Sequence, residues 1–272
     1  MFRLGKFLYI IIRSILGHFF STPYDLTPLL DKWTVVTGCT DGIGRAYIEE
    51  LAKTRGVRKF YLIARNKSKL DKVQQELESR YNAEIKQAIF DFEKDDYSKL
   101  PEELKTIETG ILVKIIPCFF YIINCVGIAP ERIANFAELP PNLPSKIIRV
   151  NLMSCVKMIE LILPGMLKRD AGIIVNVASV TGWRPLPYMS TYPASKAALS
   201  FFSDTLTDEF GHTNVKVNCL IPLLVATKIA SYEEEEANDI VVIKTETYAK
   251  QAVRLIGNYR ISTGCLLHDI QY

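Results

Sequence analysis

From Asp31 onward the chain alternates short, uniformly apolar runs with stretches of helical spacing. WTVVTG is followed by GIGRAYIEELAKTRG and KFYLIAR by KSKLDKVQQELESRY; AEIKQAIFDF, GIIVNVAS and NVKVNCLIP repeat the strand pattern, with ASKAALSFFSDTLTDEF between the last two. A strand that is apolar on both faces must be covered on both, and parallel strands can be joined only by a crossover of a dozen or more residues. The alternation therefore predicts an α/β fold, a doubly wound parallel sheet between two helical layers, as one domain over 31–272. The 272 residues are 49% apolar, enough for one core of that size. Lys and Arg number 33 against 30 Asp and Glu, and a net charge of +3 gives no electrostatic footprint for nucleic acid. Cys39, Cys118, Cys125, Cys155, Cys219 and Cys265 stand singly without a CxxC pair, and His18, His212 and His268 are far apart, so neither a disulfide framework nor a metal site is suggested.

Ahead of this alternation lies MFRLGKFLYIIIRSILGHFF. Lys6 and Arg13 cut its apolar run well short of the ~20 residues a spanning helix needs. On a helical wheel Arg3, Lys6, Arg13 and Gly17 fall on one side and Leu4, Leu8, Ile11, Ile12, Ile15 and Phe19 on the other. Residues 1–30 are thus read as an amphipathic, membrane-associating helix and linker, with the basic stripe toward anionic headgroups. A packed terminal helix fits the same pattern. A signal peptide fits poorly, because no small-residue cleavage site follows.

The run WTVV leads into Thr37-Gly38-Cys39-Thr40-Asp41-Gly42-Ile43-Gly44, and a helix begins at about Ile43. Glycines allow a sharp turn and bring backbone N–H groups up to a pyrophosphate, which the positive end of a helix also attracts. Gly38, Thr40, Gly42, Ile43 and Gly44 are candidates for a dinucleotide site. The second strand ends at Arg65, where an acidic side chain would hold the ribose hydroxyls of NAD; an arginine suits the extra phosphate of NADP, with Arg45 as a second cation. Asp91, at the end of the third strand, is a candidate for the adenine edge.

Tyr192-Pro193-Ala194-Ser195-Lys196 opens a helix, and the four-residue step sets tyrosine and lysine on one face. A free phenol titrates near ~10, and a neighbouring ammonium favours the ionised form, which makes such a pair a usable proton donor and acceptor. Ser179 closes GIIVNVAS, at the strand end where open α/β sheets bind ligands, and can hydrogen-bond a carbonyl oxygen.

Through TGCTDGIG (37–44), NCVG (124–127), Asn151, Ser179 and YPASK (192–196), the chain resembles the short-chain dehydrogenases/reductases over nearly its whole length from Asp31. IPLLVATK (221–228) and ETYAKQAVRLIG (246–257) resemble the branch of very-long-chain 3-oxoacyl-CoA reductases and seventeen-beta-type hydroxysteroid dehydrogenases. The resemblance implies a Rossmann fold and an NADP(H)-dependent oxidoreductase that interconverts a ketone and a secondary alcohol on a hydrophobic substrate, a steroid or a long-chain 3-oxoacyl-CoA. It implies Tyr192 as general acid or base, Lys196 on the nicotinamide ribose and beside the tyrosine, Ser179 orienting substrate, and Asn151 holding a relay water. Asn124, Gly127, Val225 and Thr227 would meet the cofactor. It further implies a place at the endoplasmic reticulum membrane with the catalytic domain facing the cytosol, and it is compatible with a homodimer.

The chain departs from the family pattern at Pro222-Leu223, where Pro-Gly is usual, at Cys125, where a second Asn is usual, and at Tyr272, beyond which the branch runs on into an apolar segment. GILVKIIPCFFYIINCVG (110–127) also carries about ten residues more than one strand accommodates, and Pro117 cannot donate to a central ladder. The surplus, KIIPCFFYII or a near equivalent, is read as an error in the sequence, such as an unspliced intron. Two functions stay in view. Intact Ser179, Tyr192 and Lys196 favour the reductase, and the surplus segment favours a catalytically impaired dinucleotide- or lipid-binding protein that keeps the fold. A hydrolase has no G-x-S-x-G elbow to rest on. Trp183, Pro185, Leu186 and Met189 are expected to line a substrate pocket apolar enough for a sterol or an acyl chain.

Overall fold

A computed structural model describes residues 12, 14–27, 30–106, 121–230 and 232–271. Arg3, Lys6 and Arg13 of the basic stripe, and the supposed insert as far as Phe120, lie outside the described residues. In chain order the elements are β1 (Trp33–Thr37), α1 (Gly42–Thr54), β2 (Lys59–Ala64), α2 (Lys67–Tyr81), β3 (Glu84–Ile89), α3 (Glu103–Thr106), β4 (Tyr121–Asn124), α4 (Leu143–Ile148), α5 (Ser154–Lys168), β5 (Gly172–Val177), α6 (Thr191–Glu209), β6 (Val215–Leu220), α7 (Thr245–Arg254), β7 (Ile261–Ser262) and α8 (Leu266–Gln271). The strands form one parallel sheet in the order β3-β2-β1-β4-β5-β6-β7, the doubly wound architecture expected from the alternation. The winding reverses between β1 and β4, and a crevice opens there beyond the strand carboxyl ends.

Successive strand residues feed opposite cores. Val36, Phe60 and Leu62 pack with Tyr47, Ile48 and Leu51 of α1, Leu70 of α2 and Tyr248 of α7. Val35, Tyr61 and Ile63 pack with Met158, Ile159 and Ile162 of α5 and Leu206 of α6. Burial on both faces is why these strands carry no polar alternation. A π turn over Arg149–Met153 joins α4 and α5 into a continuous helix, Leu143–Lys168, long and apolar enough to cross a membrane. Its buried side chains lie against the sheet, which makes it a core helix.

At the amino end, Leu16–Phe20 make a π-helical turn. Gly17 and His18 are buried, whereas Ile12, Ile15, Leu16, Phe19 and Phe20 are exposed. His18 Nε2 lies 3.1 Å from an Asp269 carboxylate oxygen on α8, and Arg254 and Asn258 donate to the carbonyls of Phe19 and Thr22 at 3.0 and 2.9 Å. Among the described residues, Gly17 and His18 therefore rest on the body of the protein, and Ile12, Ile15 and Phe19 face outward.

Candidate active site

The turn between β1 and α1 cannot be built with side chains. Gly38 has φ +65°, and a Cβ there would sit 2.7 Å from the backbone of Cys125 and Val126. A Cβ on Gly44 would come 2.2 Å from the Gly38 carbonyl oxygen, and Gly42, at φ +53°, faces the Thr227 methyl at 3.1 Å. The three glycines let α1 begin directly beneath the strand exits, with its free N–H groups pointing into the crevice. Asp41 caps the helix by accepting from Gly42 N–H; its ion pair with Lys228 holds the loop after β6 over the turn, and a second with Lys69 ties the turn to α2. In that loop Val225 is buried and bridges to Ile243, and Thr227 Oγ1 donates to the Val225 carbonyl at 3.2 Å.

A cavity of about 130 Å³ opens beside the turn, lined by Gly38, Thr40, Arg65, Asp91, Glu93 and Gly127 among others. Asp91 accepts from Glu93 N–H at 3.0 Å and keeps the strand exit folded. Lys146, 2.8 Å from Glu93 and unremarked in the sequence, holds the Glu93 carboxyl below the usual carboxylate range and offsets its charge beside Arg65. The Arg45 guanidinium bonds Glu76 and lies 3.7 Å from Glu49, and it takes no part in the lining of this cavity. The shape and charge suit a dinucleotide carrying an extra phosphate: a backbone cradle that any Cβ would fill, with a cation where the second strand ends.

The catalytic candidates converge on the exits of β4 and β5. Lys196 is 5% exposed; its Nζ donates to the Val177 carbonyl at 2.9 Å and lies 5.8 Å from the centre of the Tyr192 ring. A Cβ on Gly127 would stand in ordinary contact, 3.6 Å from that Nζ and 3.5 Å from Asn151 Oδ1, so the β4 exit runs directly beside both side chains. Ser179, two residues beyond β5, caps a 3₁₀ turn and accepts from Thr181 N–H and Oγ1 at 3.3 and 3.0 Å. Both bonds point toward its oxygen and leave its own proton to donate.

Asn151 sits in the π turn, fully buried. Its Oδ1 accepts from Ile128 N–H at 2.8 Å, and its Nδ2 donates to the Ile128 carbonyl at 2.9 Å and to Ser195 Oγ at 3.1 Å. Ser195 Oγ in turn donates to the Tyr192 carbonyl at 2.7 Å. The Asn151 side chain thus ties the β4 exit to the first turn of α6. Asn124 likewise turns inward: its Nδ2 donates to Asn176 Oδ1 at 2.8 Å, and Asn176 donates to Ser203 at 2.9 Å. Ser195 and Thr181 escaped the sequence reading; Ser195 was visible inside YPASK, three residues after Tyr192, where a serine on a helix can bond back to the preceding turn.

The sequence profile of the short chain dehydrogenase family matches residues 32–238. The chain is 55% identical over 182 residues to the oxidoreductase dhs-27 of Caenorhabditis elegans, covering 67% of this chain but only 21% of that protein. It is 37% identical over 246 residues to the very-long-chain 3-oxoacyl-CoA reductase of Mus musculus, covering 89% of this chain and 74% of the mouse protein. In fold it is similar to a short-chain dehydrogenase from Sphingobium yanoikuyae solved with NADPH, with a TM-score of 0.68 at 23% identity over 82% of this chain and 84% of that one. Glycine turn, sheet order, strand-end serine and tyrosine–lysine pair converge with these matches on one conclusion: the chain belongs to the short-chain dehydrogenase family.

Proposed function

We propose that this protein is an NADP(H)-dependent oxidoreductase that reduces the ketone of a long-chain 3-oxoacyl-CoA to a secondary alcohol. The carrying observation is the buried Lys196 ammonium, anchored on the Val177 carbonyl beside the Tyr192 ring at the mouth of the crevice. Arg65 in the lining beside the glycine turn supports NADP(H) over NAD(H). Similarity to the mouse reductase supports the acyl substrate over a steroid.

Gly38, Gly42, Gly44 and the first N–H groups of α1 hold the pyrophosphate, and Arg65 holds the extra ribose phosphate. When bound, NADPH supplies the hydride. Ser179 donates to the substrate carbonyl oxygen and fixes the ketone. Tyr192 donates to the same oxygen and gives up its proton as negative charge develops there. Lys196 stabilises the phenolate left behind and keeps two N–H groups for the ribose, since one is spent on Val177. Asn151 acts as a positioning residue, holding Ile128 and Ser195 together. The exposed apolar residues Ile12, Ile15, Leu16 and Phe19 support a membrane surface as the place of this chemistry, and the resemblance to the reductase branch supports the endoplasmic reticulum.

The test is NADPH oxidation by the purified protein with a long-chain 3-oxoacyl-CoA. Tyr192→Phe keeps the ring and removes the acid, and it lowers turnover by at least the ~100-fold typical of losing a general acid while nucleotide affinity stays within a few-fold. Parental turnover in that variant overturns the mechanism. A parent protein that binds NADPH but reduces no such ketone is a binding protein instead.

A further inference from the structure

Two loops flank the substrate side of the crevice, one leaving β4 through residues 128–135 and the other leaving β5 through 180–190. They meet at a backbone hydrogen bond, Ala134 N–H to the Tyr188 carbonyl, 3.2 Å. Tyr188 has φ +66°, in the left-handed region that bulky side chains avoid. The cause is local. Met189 N–H bonds the Leu186 carbonyl at 3.2 Å, closing a four-residue turn with Pro187 second and Tyr188 third. Proline fixes a negative φ at the second position, so a positive φ at the third makes this a type II turn, whose third position favours glycine or asparagine.

A tyrosine held there against its backbone preference needs a use for its ring, and the core does not supply one. Tyr188 is 59% exposed, in contrast to Ala134, which is buried. Trp183 and Leu186, on the same loop and a few residues along the chain from Ser179 and Tyr192, are exposed as well, and so is Ile133, next to Ala134 on the other loop. We infer that Tyr188 is a specificity-determining residue: its ring supplies part of the apolar rim that grips the chain of a long hydrophobic substrate, and the Ala134 bond fixes that rim across both loops. This rests on the reductase reading above and extends it to the part of the substrate remote from the ketone. A rim contact acts on the chain and not on the reacting carbonyl, so it shows in KM and leaves kcat alone.

The experiment compares the full chain with Tyr188→Asn, Tyr188→Gly and Tyr188→Phe, using 3-oxostearoyl-CoA and the short acetoacetyl-CoA with NADPH. Asparagine accepts the turn without glycine's extra freedom in the unfolded chain, so Tyr188→Asn melts higher than the parent, by about 2–4 °C for a domain of this size, and higher than Tyr188→Gly. Both variants raise KM for the long substrate by about tenfold or more, with kcat within twofold and the short substrate unaffected, because the lost contact is an apolar ring. Tyr188→Phe restores the long-substrate KM. An unchanged KM in Tyr188→Asn, or failure of Tyr188→Phe to restore it, overturns the rim assignment, and an unchanged or lower melting temperature in Tyr188→Asn overturns the argument from the turn. If the parent reduces neither substrate, the reductase reading fails separately. Titration of the same variants with stearoyl-CoA then decides the rim: weaker binding in Tyr188→Asn sustains it, and equal binding overturns it.

Discussion

Gly44→Ala tests whether the glycine turn is the cofactor cradle, because its effect can be worked from distances. The new methyl would stand 2.2 Å from the Gly38 carbonyl oxygen, 3.0 Å from its carbon and 3.3 Å from Cys125 Cβ. Ordinary contact begins near 3.4 Å, so the oxygen must give way by about 1.2 Å. Two of the three obstructing atoms are backbone, and no rotamer change relieves them. The amino end of α1 must move off the strand exit, carrying with it the N–H groups that meet the pyrophosphate. Hydrogen bonds to a charged partner are worth about 1.5–3 kcal/mol each, so losing one weakens NADPH binding by about tenfold to about 150-fold. Overpacking of this kind also costs roughly 1–3 kcal/mol of stability. Isothermal titration with NADPH, alongside urea unfolding to separate affinity from stability, reads both quantities. A folded Gly44→Ala protein that binds NADPH within twofold of the parent would refute the reasoning.

Arg65→Asp exchanges attraction for repulsion at the exposed strand end and should lower NADPH affinity by at least about tenfold while NADH affinity rises; equal nucleotide affinities in the parent would remove the basis for the preference. His268 is fully buried, and burial holds its pKa below 6.5; Nδ1 accepts from Leu223 N–H at 3.4 Å, Nε2 faces the Leu224 carbonyl at 3.3 Å, and the charged and titratable neighbours are Asp269 and the Tyr248 ring. The unfolded chain takes up the proton first, so stability from this group is complete above ~6.5 and falls by up to ~1.4 kcal/mol per pH unit below it; urea unfolding between pH 7.5 and 5 should show that slope, flattened in His268→Gln, and parallel curves would count against it. Asp269, whose carboxyl is held low against the upward push of burial by bonds from His18 and Thr263, adds its own loss only at lower pH. Deleting residues 1–20 should release the protein from liposomes containing anionic lipid, and unchanged co-sedimentation would show that the amino-terminal stripe is not the contact.

What was legible in the sequence was what repeats or sits close together. Strands buried on both faces announce themselves by unbroken apolar runs, and β1, β2, β5 and β6 fall within a residue or two of the runs that suggested them. The glycine turn and the tyrosine–lysine step were legible because the chemistry lies within a few residues. The remainder depends on partners distant in sequence. Nothing local tells that Lys146 offsets Glu93, that Asn151 reaches Ile128 and Ser195, or that Arg45 is taken by Glu76. Nor does anything local tell that His18 meets Asp269 across 251 positions. Tyr188 escaped because its backbone angle is fixed by a proline turn whose third residue is the wrong type for it.

The paired asparagines at the centre of the sheet bear on how the chain avoids threading itself wrongly. β4 has only four residues, Tyr121–Asn124, too few for its aliphatic side chains to distinguish one alignment with β5 from the next. Asn124 lies directly opposite Asn176, and Asn176 passes the chain of bonds to Ser203 on α6. Slipping β4 by one position sets each amide against an aliphatic neighbour and strands two buried polar side chains, at about 1–3 kcal/mol apiece. A purely aliphatic β4 would lose that penalty and could settle one notch out, dragging Gly127 away from Lys196 while leaving the core filled. The amide pair is therefore a key cut into a featureless strand: it adds little to the folded state's depth but makes the neighbouring alignments shallow, and so ensures that the crevice is assembled with its residues facing one another.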